Sequence, residues 1–118
     1  PLPSPIAKHA FSAGECESLL SEWHEVGVRH VLLAGIETHV CVAQTALDLL
    51  AAGFQPRVAV DAVGSRFAID HETALRRLDS SAVGLTTTEA ALFELCETAT
   101  DEAFRTISAL AKETCPAG

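Results

Sequence analysis

The protein has 118 residues, of which 48% are hydrophobic and 20% charged, so it is long and apolar enough to form one folded domain. Eight basic residues against sixteen acidic ones leave a net charge of −8, which disfavours binding to nucleic acid or to anionic membrane surfaces. No apolar run approaches the roughly 20 residues that span a bilayer, so we expect no membrane partner.

The first half of the chain predicts a helix, a strand and a second helix. Ser12 and Glu15 form a capping-box pattern that indicates a helix start, and Gly27 is placed to end that helix. The continuous apolar run at 30–35 predicts a strand buried on both faces, as is typical of parallel sheets. A helical pattern then extends over residues 40–50.

The second half of the chain continues the alternation. Strands are predicted over 57–63 and 82–86, and helices over 69–78, from 88 through 95, and from 100 onwards. Asp70 is placed to cap the first of these helices, and Thr87 or Thr88 the second. Strands that alternate with long helices indicate βαβ crossovers, so we predict an α/β fold with a parallel sheet, one half of a doubly wound arrangement.

Cys41 is the cysteine whose position suggests chemistry. It follows the first predicted strand, and ligands of open parallel sheets bind outside the carboxyl ends of the strands. With Thr38 as N-cap, its sulfur would lie beside unpaired backbone N–H groups at the positive end of the helix dipole. Both features favour the nucleophilic thiolate, and the same N–H groups could bind an oxyanion. A buried structural cysteine is the alternative.

Motifs for cofactors and metals are absent from the sequence. It contains no dinucleotide-binding, P-loop or G-x-S-x-G string, and its five histidines show no zinc-ligand spacing, so we expect no cofactor and no metal site made only of these residues. A metal bound by residues upstream of Pro1 stays an open alternative. The four cysteines form no C-x-x-C pair, which favours reduced thiols in a cytoplasmic protein.

Several polar residues near these elements have a structural and a functional interpretation. His39 could assist the thiol, but a solvent-facing histidine at a helix start is favoured. Asp61 ends a predicted strand, where it could contact substrate or cap a loop. His24 and His71 are expected to be solvated helix residues.

One string, GIETHVCV at 35–42, is highly specific. Shorter strings accompany it: KHAFS at 8–12, QTALDLL at 44–50, VDA at 60–62, SR at 65–66, DHE at 70–72, TTTE at 86–89 and LFEL at 92–95. In these strings, over nearly its whole length, the chain resembles the isochorismatase-like cysteine hydrolases. The likeness is greater to isochorismatase-domain proteins of broad substrate range than to true isochorismatases.

The resemblance implies a three-layer α/β/α domain with a six-stranded parallel sheet and an Asp–Lys–Cys triad. Cys41 matches the nucleophile, and Lys8 matches the lysine that would hold the thiolate electrostatically. A non-proline cis peptide is implied between Ile36 and Glu37, with the backbone N–H groups of Glu37 and Cys41 as the oxyanion hole. The substrate pocket is expected at Phe11, Thr38 and His39.

The aspartate of the triad has no counterpart in the sequence. The resemblance places it on a first strand near the N-terminus, whereas Asp48, Asp61 and Asp70 fall in other elements. Since the chain also begins at Pro1 without a methionine, we interpret residues 1–118 as a single isochorismatase-like domain that lacks its N-terminal strand or strands.

The predicted activity is hydrolysis of an amide or related C–N bond in a small-molecule substrate, through a covalent thioester at Cys41. Isochorismatase itself is thought not to need a cysteine, so the presence of Cys41 favours amidase chemistry. The alternative is a catalytically inactive domain that serves oligomerisation or protein interaction. The resemblance also implies a homo-oligomer.

Overall fold

The computed structural model describes residues 9–96, and in that range three strands alternate with four helices. The elements are a 3₁₀ turn (Ala13–Glu15), α1 (Glu17–Glu25), β1 (His30–Ile36), a π-helical turn (Thr38–Val42), α2 (Ala43–Ala51), β2 (Gln55–Gly64), α3 (Ala68–Ser80), β3 (Gly84–Thr86) and α4 (Thr88–Cys96). This order confirms the predicted alternation. Lys8 and the helix predicted from residue 100 lie outside the described residues.

The three strands form one parallel sheet in the order β1-β2-β3, as predicted. Leu33 of β1 pairs with Val58 of β2, which in turn pairs with Leu85 of β3. The β1–β2 register shifts between Leu33 and Gly35, where β2 carries extra residues, and pairing resumes with Gly35 opposite Val63 and Ile36 opposite Gly64.

Helices cover both faces of the sheet, which gives the α/β/α layers that the resemblance implies. Val58 packs in a buried core with Ala46 of α2 and Leu78 of α3. Because neighbouring strand residues point to opposite faces, Arg57 lies on the other face, where it pairs with Glu94 of α4. Thus α2 and α3 lie on one side of the sheet and α4 on the other.

The prediction that the first strand is buried on both faces is wrong. Leu32 is 50% exposed and Ile36 is 75% exposed. Within residues 9–96, β1 lies at an edge of the sheet and pairs only with β2, so it lacks the second neighbouring strand that central parallel strands have.

No helix within residues 9–96 is long and apolar enough to cross a membrane.

Some of the predicted capping residues lie at the helix ends in the structure, and others do not. Gly27 and Gly53 adopt positive φ angles of 80° and 93°, just beyond the ends of α1 and α2, as C-terminal glycines do. Thr87 Oγ1 accepts a hydrogen bond from the Ala90 N–H, which confirms its predicted capping role. Ser12 caps only the 3₁₀ turn, through Gly14 N–H, and α1 begins later, at Glu17.

Candidate functional site

The candidate site lies at the carboxyl end of β1, where a pocket of about 230 Å³ opens beside Cys41. Cys41 is partly buried in the π-helical turn. The pocket is lined by uncharged residues of the 3₁₀ turn, β1, the π-helical turn and α2: Ala13, Leu33, Ala34, Gly35, Ile36, Cys41, Val42 and Thr45. The pocket therefore offers the thiol an apolar recess at the ligand-binding edge of the sheet.

The turn that carries Cys41 differs from the predicted helix start. Its N-cap is Glu37 rather than Thr38, and the carbonyl of Glu37 accepts hydrogen bonds from the N–H groups of Val40 and Val42, both at 3.2 Å. The bond to Val42 spans five residues, which gives the turn its wider π geometry. The Ile36–Glu37 peptide bond that precedes the turn is cis. Glu37 and Cys41, the two residues assigned to the oxyanion hole, lie at the start and near the end of this turn.

Thr38 is fully buried, and its hydroxyl is not used for capping. Its Oγ1 lies 2.8 Å from Nδ1 of His71 in the first half of α3. His71 is therefore only partly exposed and contacts the turn, so the expectation of a solvated histidine is wrong. His24, by contrast, is exposed as expected and stacks on Phe54.

His39 does not project freely into solvent, as the sequence had favoured. Its Nδ1 lies 2.9 Å from Ser65 Oγ, and its Nε2 lies 3.8 Å from Asp70 Oδ2. Asp70 consequently belongs to this cluster and does not cap α3, whose N-cap is Phe67. In the sequence, only the strings at 65–66 and 70–72, which form part of the resemblance, indicated that this part of the chain could lie near Cys41.

Glu37, the N-cap of the turn, contacts Arg66, which is the neighbour of Ser65 in the chain. Its Oε1 accepts hydrogen bonds from the backbone N–H of Arg66 at 3.0 Å and from its Nε at 3.1 Å. The backbone hydrogen bond from Arg66, aided by the guanidinium, holds the pKa of Glu37 below its ordinary value of 4.5.

This shift predicts an acid-sensitive contribution of Glu37 to stability. Because the folded pKa lies below the unfolded one, the contribution is complete above pH 4.5 and is lost as the pH falls through the folded pKa. We expect Glu37→Gln, which keeps an oxygen acceptor but does not titrate, to lose less stability on acidification than the parent protein. Urea unfolding at a series of pH values measures this, with exposed Glu22→Gln as control. Parallel pH profiles for the parent and Glu37→Gln would contradict the prediction.

The segment before α1 is attached to the helix that follows Cys41. The N–H of Ala13 donates to Thr45 Oγ1 at 2.8 Å, and Thr45 lies one helical turn after Cys41. A Cβ placed on Gly14 would lie 2.5 Å from Cβ of Asp48, so this segment packs directly on α2. Phe11, Thr38 and His39 were predicted to line the pocket, but none of them is among the residues that line it, and Phe11 is 62% exposed.

Asp61 has a structural role at the end of the sheet. Its Oδ1 accepts hydrogen bonds from the N–H of Thr88 at 2.8 Å and from its hydroxyl at 2.9 Å. The backbone hydrogen bond holds the pKa of Asp61 below its ordinary value. Asp61 thus ties β2 to the start of α4, in line with the loop-capping alternative. Among residues 9–96, no group of three or more His, Cys, Asp or Glu side chains could hold a metal ion.

Comparison with known proteins gives consistent matches. The family model described as the isochorismatase domain matches residues 4–90. Isochorismatase domain-containing protein 2 of Bos taurus is 47% identical over 89 residues, which are 75% of this chain and 44% of the relative. The chain spans about two fifths of the curated relatives it matches, with 39% of one from Danio rerio.

Solved structures share the fold. The MAR1 ribonuclease from Caenorhabditis elegans is 34% identical with a TM-score of 0.80, over 94% of this chain and 56% of that one. A nicotinamidase from Bacillus subtilis is 31% identical with a TM-score of 0.63, over 68% of this chain and 44% of that one. The α/β architecture and the sequence matches therefore agree.

Proposed function

Because the chain belongs to the isochorismatase domain family, we propose that it is a hydrolase of an amide or related C–N bond in a small molecule, with Cys41 as nucleophile. The observation that carries the proposal is the position of Cys41, in a turn at the carboxyl end of a parallel strand and on the wall of an apolar pocket. The similarity to a nicotinamidase supports amide chemistry in particular.

In the proposed reaction the Cys41 thiolate attacks the carbonyl carbon and forms a C–S bond. The backbone N–H groups of Glu37 and Cys41 donate hydrogen bonds to the carbonyl oxygen as it becomes negatively charged. Collapse of this intermediate breaks the C–N bond, and the leaving nitrogen takes the proton that the general base had accepted from the thiol. Water then attacks the thioester, which releases the acid and restores the thiol.

Two charged groups complete the proposed mechanism. The resemblance assigns the stabilisation of the thiolate to Lys8, which lies outside the described residues; its role stays a prediction. Attachment of the 3₁₀ turn to Thr45 supports it, because Ala13, five residues after Lys8, lines the Cys41 pocket. The resemblance assigns proton transfer to an aspartate. This aspartate has no counterpart in the sequence: Asp61 and Asp70 contact Thr88 and His39, and neither they nor Asp48 are among the described residues that line the pocket.

The pocket also constrains the proposed substrate. Among residues 9–96, the side chains that line it are uncharged, so beyond the charges that the mechanism assigns to Lys8 and an aspartate, this wall favours a neutral acyl group over a phosphorylated or carboxylated one. The similarity to a ribonuclease raises phosphodiester hydrolysis as a second candidate. The net charge of −8 opposes the approach of RNA, and we therefore place amide hydrolysis first.

Selective alkylation tests the proposed nucleophile. We expect iodoacetamide at mildly acidic pH to modify Cys41 before Cys16, Cys96 or Cys115, because only a stabilised thiolate reacts under those conditions. Mass spectrometry of peptides from briefly treated folded protein gives the order of labelling. Neutral primary amides and an RNA oligonucleotide then serve as parallel substrates. Equal labelling of all four thiols, or turnover of RNA alone, would overturn the proposal.

The alternative, a domain used for association rather than catalysis, rests on a different surface. Leu32 of β1 is 50% exposed and Leu95 of α4 is 75% exposed, and both line an apolar pocket of about 340 Å³ between these elements. Concentration-dependent self-association in light scattering, together with unselective labelling of the thiols, would favour this function over hydrolysis.

A further inference from the structure

Three consecutive residues of the Cys41 turn contact one short part of the chain. Glu37 binds Arg66, Thr38 binds His71, and His39 lies against Ser65 and Asp70. We call residues 65–71 the bracing segment. These contacts involve Glu37, which follows the cis peptide bond, and the first two residues of the turn, so they hold the backbone where it enters the turn that carries Cys41.

The contact between Thr38 and His71 is the most enclosed of the three. Thr38 has no exposed surface, and its hydroxyl lies 2.8 Å from His71 Nδ1. A buried hydroxyl without a partner is costly, because it has given up its hydrogen bonds to water. The Glu37–Arg66 pair, in contrast, is open to solvent on the Arg66 side, whose side chain is 76% exposed.

His71 is itself held by the core. Ala74 and Leu78 follow it at intervals of three and seven residues, which places all three side chains on one face of α3. Ala74 is 5% exposed and Leu78 is fully buried. The imidazole therefore projects from a helix anchored in the core and contacts the first residue of the turn that carries the thiol.

We propose that His71 is a positioning residue for Cys41: by holding the Thr38 hydroxyl, it sets the geometry of the turn from which the thiol faces the pocket. The inference rests on the proposed function, since it is measured through the reactivity of Cys41. His71 itself need not touch substrate, because its effect is transmitted through Thr38.

The first test replaces His71. We expect His71→Leu to slow alkylation of Cys41 by iodoacetamide by about tenfold, because the reactivity of a thiol depends on the environment and access that its turn provides. His71→Asn, whose amide can occupy the place of Nδ1, should restore most of the rate. The control is Glu72→Leu, at the neighbouring exposed position of α3. Rates are compared in samples whose circular dichroism shows them to be folded.

A second variant approaches the contact from its other partner, in case His71→Leu fails to fold. Thr38→Val removes the hydroxyl with little change of shape, and we expect the same slowing of Cys41 alkylation. In the double variant Thr38→Val with His71→Leu, both polar partners become apolar, so stability should recover. The alkylation rate should stay low. Recovery of the rate together with stability would show a purely structural contact and overturn the inference.

The outcomes separate this inference from the proposed function. If Cys41 of the parent protein reacts no faster than Cys16, the proposed function fails and this inference fails with it. If Cys41 is selectively reactive but His71→Leu and Thr38→Val react like Glu72→Leu, the proposed nucleophile stands and the positioning role of His71 is overturned.

Discussion

Cys41→Ala is expected to reduce hydrolysis of any amide substrate by about 10³-fold or more, the scale of losing a catalytic nucleophile. The thiol supplies the bond-forming electron pair, and alanine leaves the pocket and the turn in place without it. The side chain is only partly buried in a π-helical turn, so the variant should remain folded. Comparison of kcat/KM for parent and variant on a neutral primary amide gives the effect.

The matched control for this prediction is Cys16→Ala. Cys16 is also a partly buried thiol, located at the N-cap of α1, and it is not among the residues that line the Cys41 pocket. Its removal should leave turnover unchanged. A Cys41→Ala variant with the turnover of the parent protein would show that another group performs the attack.

Leu78→Ala is expected to lower the free energy of unfolding by about 2–5 kcal/mol, the range for truncating a buried leucine. Leu78 has no exposed surface and packs in one cluster with Val42, Val58 and Val83. The substitution thus opens a cavity where α3, β2 and the residue after Cys41 meet. Urea denaturation with a common m-value for both proteins measures the change.

Ile69→Ala on the same helix is the control for the leucine substitution. Ile69 is 67% exposed, so its truncation should change the free energy of unfolding by no more than about 0.5 kcal/mol. Equal losses in the two variants would show that the core does not depend on Leu78 as the structure indicates.

Some features of the fold could be predicted from short sequence patterns, and others depended on neighbouring elements. The apolar run at 30–35 and the helical spacing after it correctly predicted β1 and α2, because the spacing of apolar residues depends on which side of a single strand or helix is buried. Exposure of Leu32 and Ile36 was not predictable from that run, since it depends on which strand lies beside β1. Ala82, predicted to begin the third strand, instead has a φ of 69° and precedes β3.

In the candidate site, too, the sequence predicted some features, and the tertiary structure set others. Cys41 was identified from its position after a strand and from the resemblance, and the structure places it on a pocket wall. Thr38 and Asp70 were both expected to cap helices, because threonine and aspartate commonly do so. In the structure their side chains contact His71 and His39, respectively. Such contacts with distant residues replaced the local capping that the sequence favoured.

The sequence by itself determined the order of strands and helices and the location of Cys41 at the end of β1, because apolar spacing and glycine placement act over a few residues. The tertiary structure alone decided what surrounds the thiol. Glu37, Thr38 and His39 contact residues 26 to 33 positions further along the chain. Parallel pairing of β1 and β2 brings the two segments together, since it places the carboxyl ends of both strands at one edge of the sheet.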